Sequence, residues 1–373
     1  MSKFLYKKLI KPILFLFPAD YVHTFFLKLG NILGNISLLK NLIKYFFSYS
    51  NKKLNQNLLG FDFKNPIGLA AGFDYDADLI NILPSIGFGF HTIGTITNNY
   101  YKGNPFPMLG RLPKSKSLFV NKGFKNNGID KIINKVNRYK RTIPLGISLG
   151  VTNKKYVDEK EMIDDIYKNF QKANSYNFDY YELNISCPNL VHLPENFEKF
   201  DTPNGLRAIL EKLNTINISI PVFIKMPSEK SIEDTIELCE IAYNFDFIKG
   251  FIFSNLVKDR NNNFLNKEEL KKFENMKGNF SGKPTEYLSN TLINEVYKKY
   301  KDKNRFIIIG CGGIFDEKDI YEKLKSGASL VQFITGMIYE GPSQISNMNK
   351  NLVKLIKKDG FENIKDIIGI NHK

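Results

Sequence analysis

Eight short apolar runs, alternating with segments of helical period, constrain the fold of this 373-residue chain more than any other feature. They span residues 66–72, 88–97, 144–150, 178–186, 220–226, 249–255, 305–313 and 329–336. Strands that are apolar on both faces are typical of parallel sheets covered by helices. Eight such strand-helix units predict an α/β fold, a closed (β/α)8 TIM barrel with a short N-terminal helical extension.

The extension is predicted to occupy residues 1–47, with the barrel in residues 48–373. Its apolar segment "ILFLF" is too short for a signal peptide, no small-residue cleavage site follows, and no run in the chain could cross a bilayer. Apolar residues recur at helical spacing after Pro18, which predicts two short helices joined near Phe17-Pro18. Residues 1–33 combine this pattern with lysines, so we favour a peripheral membrane-binding surface over a simple cap on the barrel.

Composition excludes several classes of protein. The net charge is +15, but the lysines are interleaved with acids, so no nucleic-acid binding is expected. Cys187, Cys239 and Cys311 lie far apart in the sequence, which predicts neither a metal site nor a disulfide framework and indicates a reducing compartment. Cys239 falls at an apolar helical spacing and is predicted to lie in the core.

Chemistry in such barrels gathers at the carboxyl ends of the strands, where the loops converge on one mouth. Eight residues of interest lie at or just after the predicted strand ends: Gly72, Thr95, Ser148, Cys187, Lys225, Asn255, Gly312 and Thr335. Glycines in "GCGG" (310–313) and the "FITG" loop (333–336) predict a phosphate site after strands seven and eight, although tight turns would also use glycine.

Lys225 ends the fifth run, where an unpaired cation would be costly to bury. Beside a bound flavin mononucleotide (FMN) it would stabilise the anionic reduced ring; alternatively its ammonium group extends to water. Carboxamides suit a flat heterocycle with ring amides and carbonyls, although one or two could simply cap loops. Four asparagines are candidates: Asn121, Asn184, Asn189 and Asn255.

Cys187 stands between two of these asparagines in "ELNISCPN". An unperturbed thiol titrates near pH 8.5, close enough to neutrality for a general base. The alternative is a buried structural cysteine.

With these motifs assembled, the chain resembles the dihydroorotate dehydrogenases over nearly its whole length. The matching stretches are "NPIGLAAGFD", "GFGFHTIGTIT", "GNPFPMLGRLP", "ELNISCPN", "VFIKMP", "FSGKP", "IIGCGGI", "GASLVQFIT" and "DIIGINHK". The resemblance implies an FMN-dependent barrel enzyme that oxidises dihydroorotate to orotate in de novo pyrimidine biosynthesis. It implies that Cys187 removes the C5 proton while a hydride leaves C6 for flavin N5.

The resemblance also implies binding roles. Flavin contacts fall on Ala71, Gly72, Thr95, Ser148, Lys225, Ser254, Ser281, Gly282, Gly312, Gly313, Ile334 and Thr335. Substrate contacts fall on Asn121, Asn184, Asn189 and Asn255.

The sequence combines features of two classes of this family. The extension, His23 and Arg111 resemble the membrane-associated class 2 enzymes, in which two helices form an apolar tunnel and the matching residues contact quinone. Class 2 enzymes carry serine at the position of Cys187, whereas cysteine resembles class 1, whose members reduce fumarate or NAD. We therefore predict a quinone acceptor, with fumarate or NAD as alternatives. The expected location is the cytoplasmic face of the cell membrane, or the inner mitochondrial membrane in a eukaryote.

Three departures from the family pattern concern the substrate. Tyr75 replaces a lysine, Ser148 replaces an asparagine, and the motif around Asn121 is one residue shorter. Lys122 and Lys125 are candidates to replace the lost charge. Two alternative functions stay open: an FMN barrel oxidoreductase acting on another dihydropyrimidine or an enoate, and a non-catalytic membrane-surface binding protein.

Overall fold

A computed structural model describes residues 3–301 and 305–372. Its barrel strands are β1 (Ile67–Leu69), β2 (Phe90–Ile96), β3 (Leu145–Leu149), β4 (Tyr180–Asn184), β5 (Val222–Lys225), β6 (Ile248–Phe253), β7 (Ile307–Cys311) and β8 (Leu330–Phe333). Consecutive strands pair in parallel, and β8 pairs with β1 to close the barrel. Each predicted run overlaps one strand, which confirms the predicted (β/α)8 fold.

Helices cover the outside of the barrel because one face of each is apolar. Those between the strands are Leu83–Ile86, Ile129–Val136, Glu159–Asn174, Pro203–Leu213, Ile232–Tyr243, the short Lys267–Leu270, Glu286–Tyr300 and Glu317–Lys325, and Thr335–Glu340 and Gln344–Lys358 follow β8. In Glu159–Asn174, Ile166 and Phe170 are fully buried one turn apart, and Asp158 caps the first turn by accepting from the Glu161 N–H at 2.7 Å. Cys239 is fully buried in its helix, as predicted.

Side chains fill the barrel interior, beginning at its amino-terminal end. A hairpin of Gln56–Leu58 and Phe61–Phe63 lies there, and the Phe63 ring packs edge-on against Phe90 at 5.4 Å. Nearer the mouth, Glu182 Oε1 accepts from Thr92 Oγ1 at 2.6 Å and from Gln332 Nε2 at 2.7 Å. These two layers of side chains, one aromatic and one polar, lie beneath the carboxyl ends of the strands.

An antiparallel sheet of Leu109–Leu112, Ser117–Val120 and Asn279–Gly282 flanks the mouth. The N-terminal extension docks on it, because Asp20 Oδ2 accepts from the N–H groups of Met108 and Leu109 at 3.1 and 3.0 Å. These two hydrogen bonds satisfy the Asp20 carboxylate, which is largely buried.

The extension contains more helix than the sequence predicted. Lys3–Leu5, the π-helix Tyr6–Ile10 and Lys11–Phe15 run in succession, and Ala19–Asn35 follows the predicted break at Pro18. The prediction of two helices was wrong, because a further helix, Ser37–Phe47, ends the extension. It shares the apolar spacing of its neighbour, but a single extended residue, Ile36, separates the two.

The first helices are tied to the barrel by one carboxylate. Lys3 and Lys7 contact Glu340 Oε2 at 2.9 and 3.1 Å, and Tyr6 donates from its hydroxyl to the Ile338 carbonyl at 2.7 Å. Burial alone would raise the pKa of Glu340, but the two lysines hold it below its ordinary value. The ion pairs therefore favour the ionised carboxylate at neutral pH.

Apolar side chains are concentrated on the outer face of the extension. Of the twenty-two exposed large hydrophobic side chains in the described residues, fourteen lie between Phe4 and Phe46. Leu16 is 81% exposed and Leu38 is 78% exposed. Within residues 3–301 and 305–372, none of the helices has the length and apolar character needed to span a bilayer.

Candidate active site

One cavity of about 500 Å³ joins the strand ends to the underside of the N-terminal extension. Most of the predicted site residues line it: His23, Ala71, Gly72, Thr95, Arg111, Asn184, Cys187, Asn189, Lys225, Asn255, Ser281, Ile334 and Thr335. Six other predicted site residues are not among those that line it: Asn121, Ser148, Ser254, Gly282, Gly312 and Gly313. The fold thus brings together residues that are up to 312 positions apart in the chain.

A chain of hydrogen bonds links the polar side chains at four strand ends. Ser148 Oγ is 2.9 Å from Thr95 Oγ1, which accepts from Asn184 Nδ2 at 2.9 Å. Asn184 Oδ1 accepts from Ser186 Oγ at 3.2 Å, and Ser186 Oγ accepts from Asn255 Nδ2 at 2.9 Å. This chain fixes which atom of each carboxamide faces the cavity. Ser186 was missed by the sequence reasoning, although it stands inside the "ELNISCPN" motif.

The other two predicted asparagines are held by neighbours that the sequence reasoning also missed. Asn104 donates from Nδ2 to Asn121 Oδ1 at 2.7 Å and to the Asn189 carbonyl at 3.0 Å. Asn279 donates to Asn189 Oδ1 at 2.6 Å, and Asn189 donates in turn to the Val120 carbonyl at 3.1 Å. Asn104 stands in the matching stretch "GNPFPMLGRLP", which was the available signal. The orientation of Asn189 is therefore set by the antiparallel sheet that flanks the mouth.

Cys187 lies three residues beyond β4, on the cavity wall. Burial raises the pKa of its thiol to about 12, while the N–H of Asn189 and the more distant Lys258 oppose the change. The sequence-based expectation of a thiol titrating near 8.5 is therefore wrong for this environment. A thiol in this position is protonated at neutral pH, so as a base it would act through a small thiolate fraction.

Lys225 and Ser254 form a buried polar corner that fits a flavin. Lys225 is 4% exposed, and its Nζ donates to Cys311 Sγ at 3.8 Å. No carboxylate of the described residues pairs with this ammonium group within 4.0 Å. Ser254 Oγ is buried and has no hydrogen-bond partner among the described residues. Since buried polar groups are normally satisfied, these two side chains are suited to a polar ligand such as the pyrimidine end of FMN.

The glycine loop after β7 is the predicted phosphate site. Gly312 and Gly313 have φ values of +110° and +72°, and a Cβ on Gly312 would lie 2.3 Å from Thr285 Oγ1. Ser281 Oγ is 2.8 Å from Thr335 Oγ1 at the start of the helix after β8. Backbone in this conformation can direct N–H groups at an anion, so the loop suits the predicted phosphate.

His23 reaches the cavity wall from the extension. Its Nε2 is 2.8 Å from the Phe73 carbonyl, and its Nδ1 is 3.1 Å from Lys122 Nζ. Burial and the nearby Lys122 lower the pKa of His23 well below its ordinary value. The ring is therefore neutral, with Nε2 donating to the carbonyl and Nδ1 accepting from the lysine.

The Tyr75 ring packs beside this pair, with its centre 5.5 Å from that of the His23 ring. Lys122 Nζ lies 4.5 Å from the centre of the Tyr75 ring, and Lys125 Nζ lies 5.8 Å from it. Both lysines line the cavity.

Arg111 lies in the part of the cavity that the first helices cover. Its Nη1 donates to the Phe17 carbonyl at 2.7 Å, and its guanidinium carbon is 4.6 Å from the centre of the Phe15 ring. Arg111 thus fixes the end of the first helical segment against the flanking sheet.

Comparisons with known proteins agree with this geometry. The family model described as "Dihydroorotate dehydrogenase" matches residues 53–356. A protein of Helicobacter acinonychis (strain Sheeba) named "Dihydroorotate dehydrogenase (quinone)" is 34% identical over 362 residues, covering 97% of this chain and 98% of its own. A protein of the same name from Christiangramia forsetii is 33% identical, covering 94% and 99%.

Solved structures support the fold. The crystal structure of DHODH from Eimeria tenella in complex with ferulenol aligns with a TM-score of 0.80 at 24% sequence identity, covering 95% of this chain and 96% of that one. The ligand-free form from Eimeria tenella aligns with a TM-score of 0.76, covering 92% and 99%.

Proposed function

This chain belongs to the dihydroorotate dehydrogenase family, and on that premise we propose that it oxidises dihydroorotate to orotate in de novo pyrimidine biosynthesis, with FMN as cofactor. The electrons pass to a quinone. The enzyme works at a membrane surface, to which the N-terminal extension attaches it.

One observation carries the proposal. A single cavity contains both the asparagine and cysteine cluster at the strand ends and an apolar space beneath the extension. The apolar wall includes Leu14, Val22, Phe26, Leu29 and Leu33, all from the first 33 residues. A polar heterocycle suits the first part of the cavity and a lipid-soluble acceptor suits the second.

In the proposed reaction, FMN supplies the hydride acceptor for C6 of dihydroorotate. Cys187 Sγ, as thiolate, takes the proton from C5, and the electron pair of that C–H bond forms the new C5–C6 double bond as the hydride leaves C6. Atoms and charge balance, because one proton and one hydride leave the substrate. The thiol then returns its proton to solvent.

The remaining polar groups position the reactants. Asn184 and Asn255 are oriented through Ser186, so the substrate meets carboxamides that need little rearrangement. Lys225 would hold the pyrimidine end of FMN, where its positive charge would favour the reduced cofactor. Burial of the site excludes water and strengthens each of these interactions.

The membrane part of the proposal rests on the exposed apolar face of the extension. Leu16 and Leu38 project from different helices of the extension and are more than three-quarters exposed. Lys8 and Lys28 are exposed on the extension and add positive charge, which favours anionic lipid headgroups. Together they suit a helix group that lies in the interface without spanning it.

The catalytic proposal is tested with purified protein under anaerobic conditions. We expect stoichiometric FMN in the extract and bleaching of its absorbance on addition of dihydroorotate, with orotate as product. Decylubiquinone should then reoxidise the flavin faster than fumarate or NAD does. Protein that carries no flavin, or a flavin that dihydroorotate leaves oxidised, would refute the proposal.

The membrane proposal is tested by sedimentation with vesicles containing anionic phospholipid. Leu16→Glu and Leu38→Glu should weaken binding while leaving reduction of the flavin by dihydroorotate unchanged. Val157→Glu is the matched control, because Val157 is 88% exposed but lies on the barrel. Equal losses in all three variants would show that the extension is not the membrane-binding surface.

A further inference from the structure

We infer that Lys122 is the cation that binds the carboxylate of the substrate, so that it selects carboxylated pyrimidines over the same ring without a carboxylate. The inference rests on the proposed function. It assigns substrate specificity to Lys122, which lies outside the "AAGFD" segment (70–74) that directly precedes Tyr75.

The charge of the cavity wall is the first step. Four cationic side chains line the cavity, Arg111, Lys122, Lys125 and Lys225, and no aspartate or glutamate of the described residues lines it. An anion that enters the cavity therefore meets cationic side chains and no carboxylate on the wall formed by the described residues.

Two of these cations are already engaged elsewhere. Lys225 lies at the end of β5 against Cys311, in the corner that suits the flavin. Arg111 is bound to the Phe17 carbonyl and stacked on the Phe15 ring beneath the first helices. The lysines of the 122–125 loop remain for a substrate that lies by Cys187.

Lys122 is the better placed of the two. Its ammonium group is held by neutral partners only, His23 Nδ1 at 3.1 Å and the Tyr75 ring at 4.5 Å, with no carboxylate within 4.0 Å in the described residues. A partly buried cation without a counter-ion gains most from an incoming carboxylate. Its neighbour in sequence, Asn121, lies in the network that holds the asparagines of the site.

Binding of a carboxylate to Lys122 should be accompanied by a measurable uptake of a proton. Burial lowers the pKa of Lys122 to about 7, Lys125 acts in the same direction, and Asp20 and Asp76 oppose it. A bound carboxylate raises that pKa, so at pH 8 binding takes up a proton, whereas at pH 5.5 Lys122 is already charged and does not.

The other titratable groups around Lys122 are not expected to take up a proton when a carboxylate binds at pH 8. The pKa of Asp76 is raised to about 6 by burial, so this carboxyl is already ionised. His23 is neutral, because its pKa is lowered, and the raised pKa of Tyr75 keeps its phenol protonated. Lys125 is examined directly by substitution.

The experiment compares orotate with uracil, which has the same ring but no carboxylate. Calorimetric titration of the FMN-loaded wild type, Lys122→Gln, Lys122→Arg and Lys125→Gln measures both affinities. We expect Lys122→Gln to bind orotate about 10- to 100-fold more weakly, as for loss of a charged hydrogen bond, with uracil affinity changed by less than about twofold. Lys122→Arg should restore much of the loss, and Lys125→Gln should lose little.

Proton uptake is measured by repeating the orotate titration at pH 8 in buffers of different ionisation enthalpy. Uptake should be present in the wild type and absent in Lys122→Gln. The inference is overturned if Lys122→Gln weakens both ligands equally, if it weakens neither, or if Lys125→Gln causes the larger loss. These outcomes are distinct from failure of the proposed function, in which dihydroorotate would not reduce the flavin of the wild type.

Discussion

The environment of Cys187 makes a quantitative prediction about the pH dependence of flavin reduction. Burial raises the pKa of this thiol to about 12. The thiolate fraction at pH 7 is then about 10⁻⁵, compared with about 3% for an unperturbed thiol of pKa 8.5. If the thiolate is the base, the rate constant for flavin reduction should rise about tenfold per pH unit from pH 6 to pH 9.

The assay is anaerobic stopped-flow mixing of oxidised enzyme with dihydroorotate, followed at the visible absorbance of the flavin. Saturating substrate is needed at each pH, so that the pH dependence of binding does not enter the rate constant. Cys187→Ala should lower the rate and abolish the slope. Cys187→Ser should also be slow near neutrality, because an alcohol is a weaker acid than a thiol.

Cys239→Ala is the matched control, because the pKa of the Cys239 thiol is also raised but this residue lies in a helix outside the barrel. It should keep the wild-type slope. A plateau between pH 8 and pH 9 would show that burial does not hold the thiol protonated. A flat profile in the wild type would remove Cys187 from the role of base.

Three further perturbations test the cofactor site and the docking of the extension. Lys225→Met should weaken FMN binding about tenfold or more, measured by flavin released on dilution, because it removes the buried ammonium group. Gly312→Ala should lower the free energy of unfolding by about 1–3 kcal/mol, measured by denaturant titration. Gly60→Ala, at a φ of +83° but with nothing within 4 Å of the added Cβ, should cost less. Glu340→Gln should speed tryptic cleavage within the first helices, whereas Glu362→Gln, which alters an exposed ion pair, should not.

The barrel was predictable from sequence because its signal is local. Each strand is a short run of apolar residues, and each run overlaps a strand of the structure, from Ile67–Leu69 to Leu330–Phe333. The extension was predicted less well. The helix Ser37–Phe47 begins without a side-chain cap, and it follows the preceding helix after a single residue, so no strong boundary signal separates the two.

The site was predicted in its residue types but not in its electrostatics. Asn184, Asn189, Cys187 and Lys225 meet in one cavity, as expected for residues at strand ends. The pKa of Cys187 was mispredicted because desolvation depends on the residues that tertiary packing places around the thiol. Asn104 and the other supporting asparagines were missed for the same reason, since their partners are distant in sequence.

The hydrogen-bond chain that begins at Ser148 and ends at Asn255 has a consequence for how the site can change. Each side chain in it both restrains and is restrained by the next, so the effects of two substitutions should not add. Replacing Ser148 alone would alter the rotamer preferences of Asn184, two links away. A substitution at Ser148 should therefore change the effect of a second substitution at Asn184 or Asn255. The site is thus expected to respond to substitution as one coupled unit, in which the cost of each change depends on the other members of the hydrogen-bond chain.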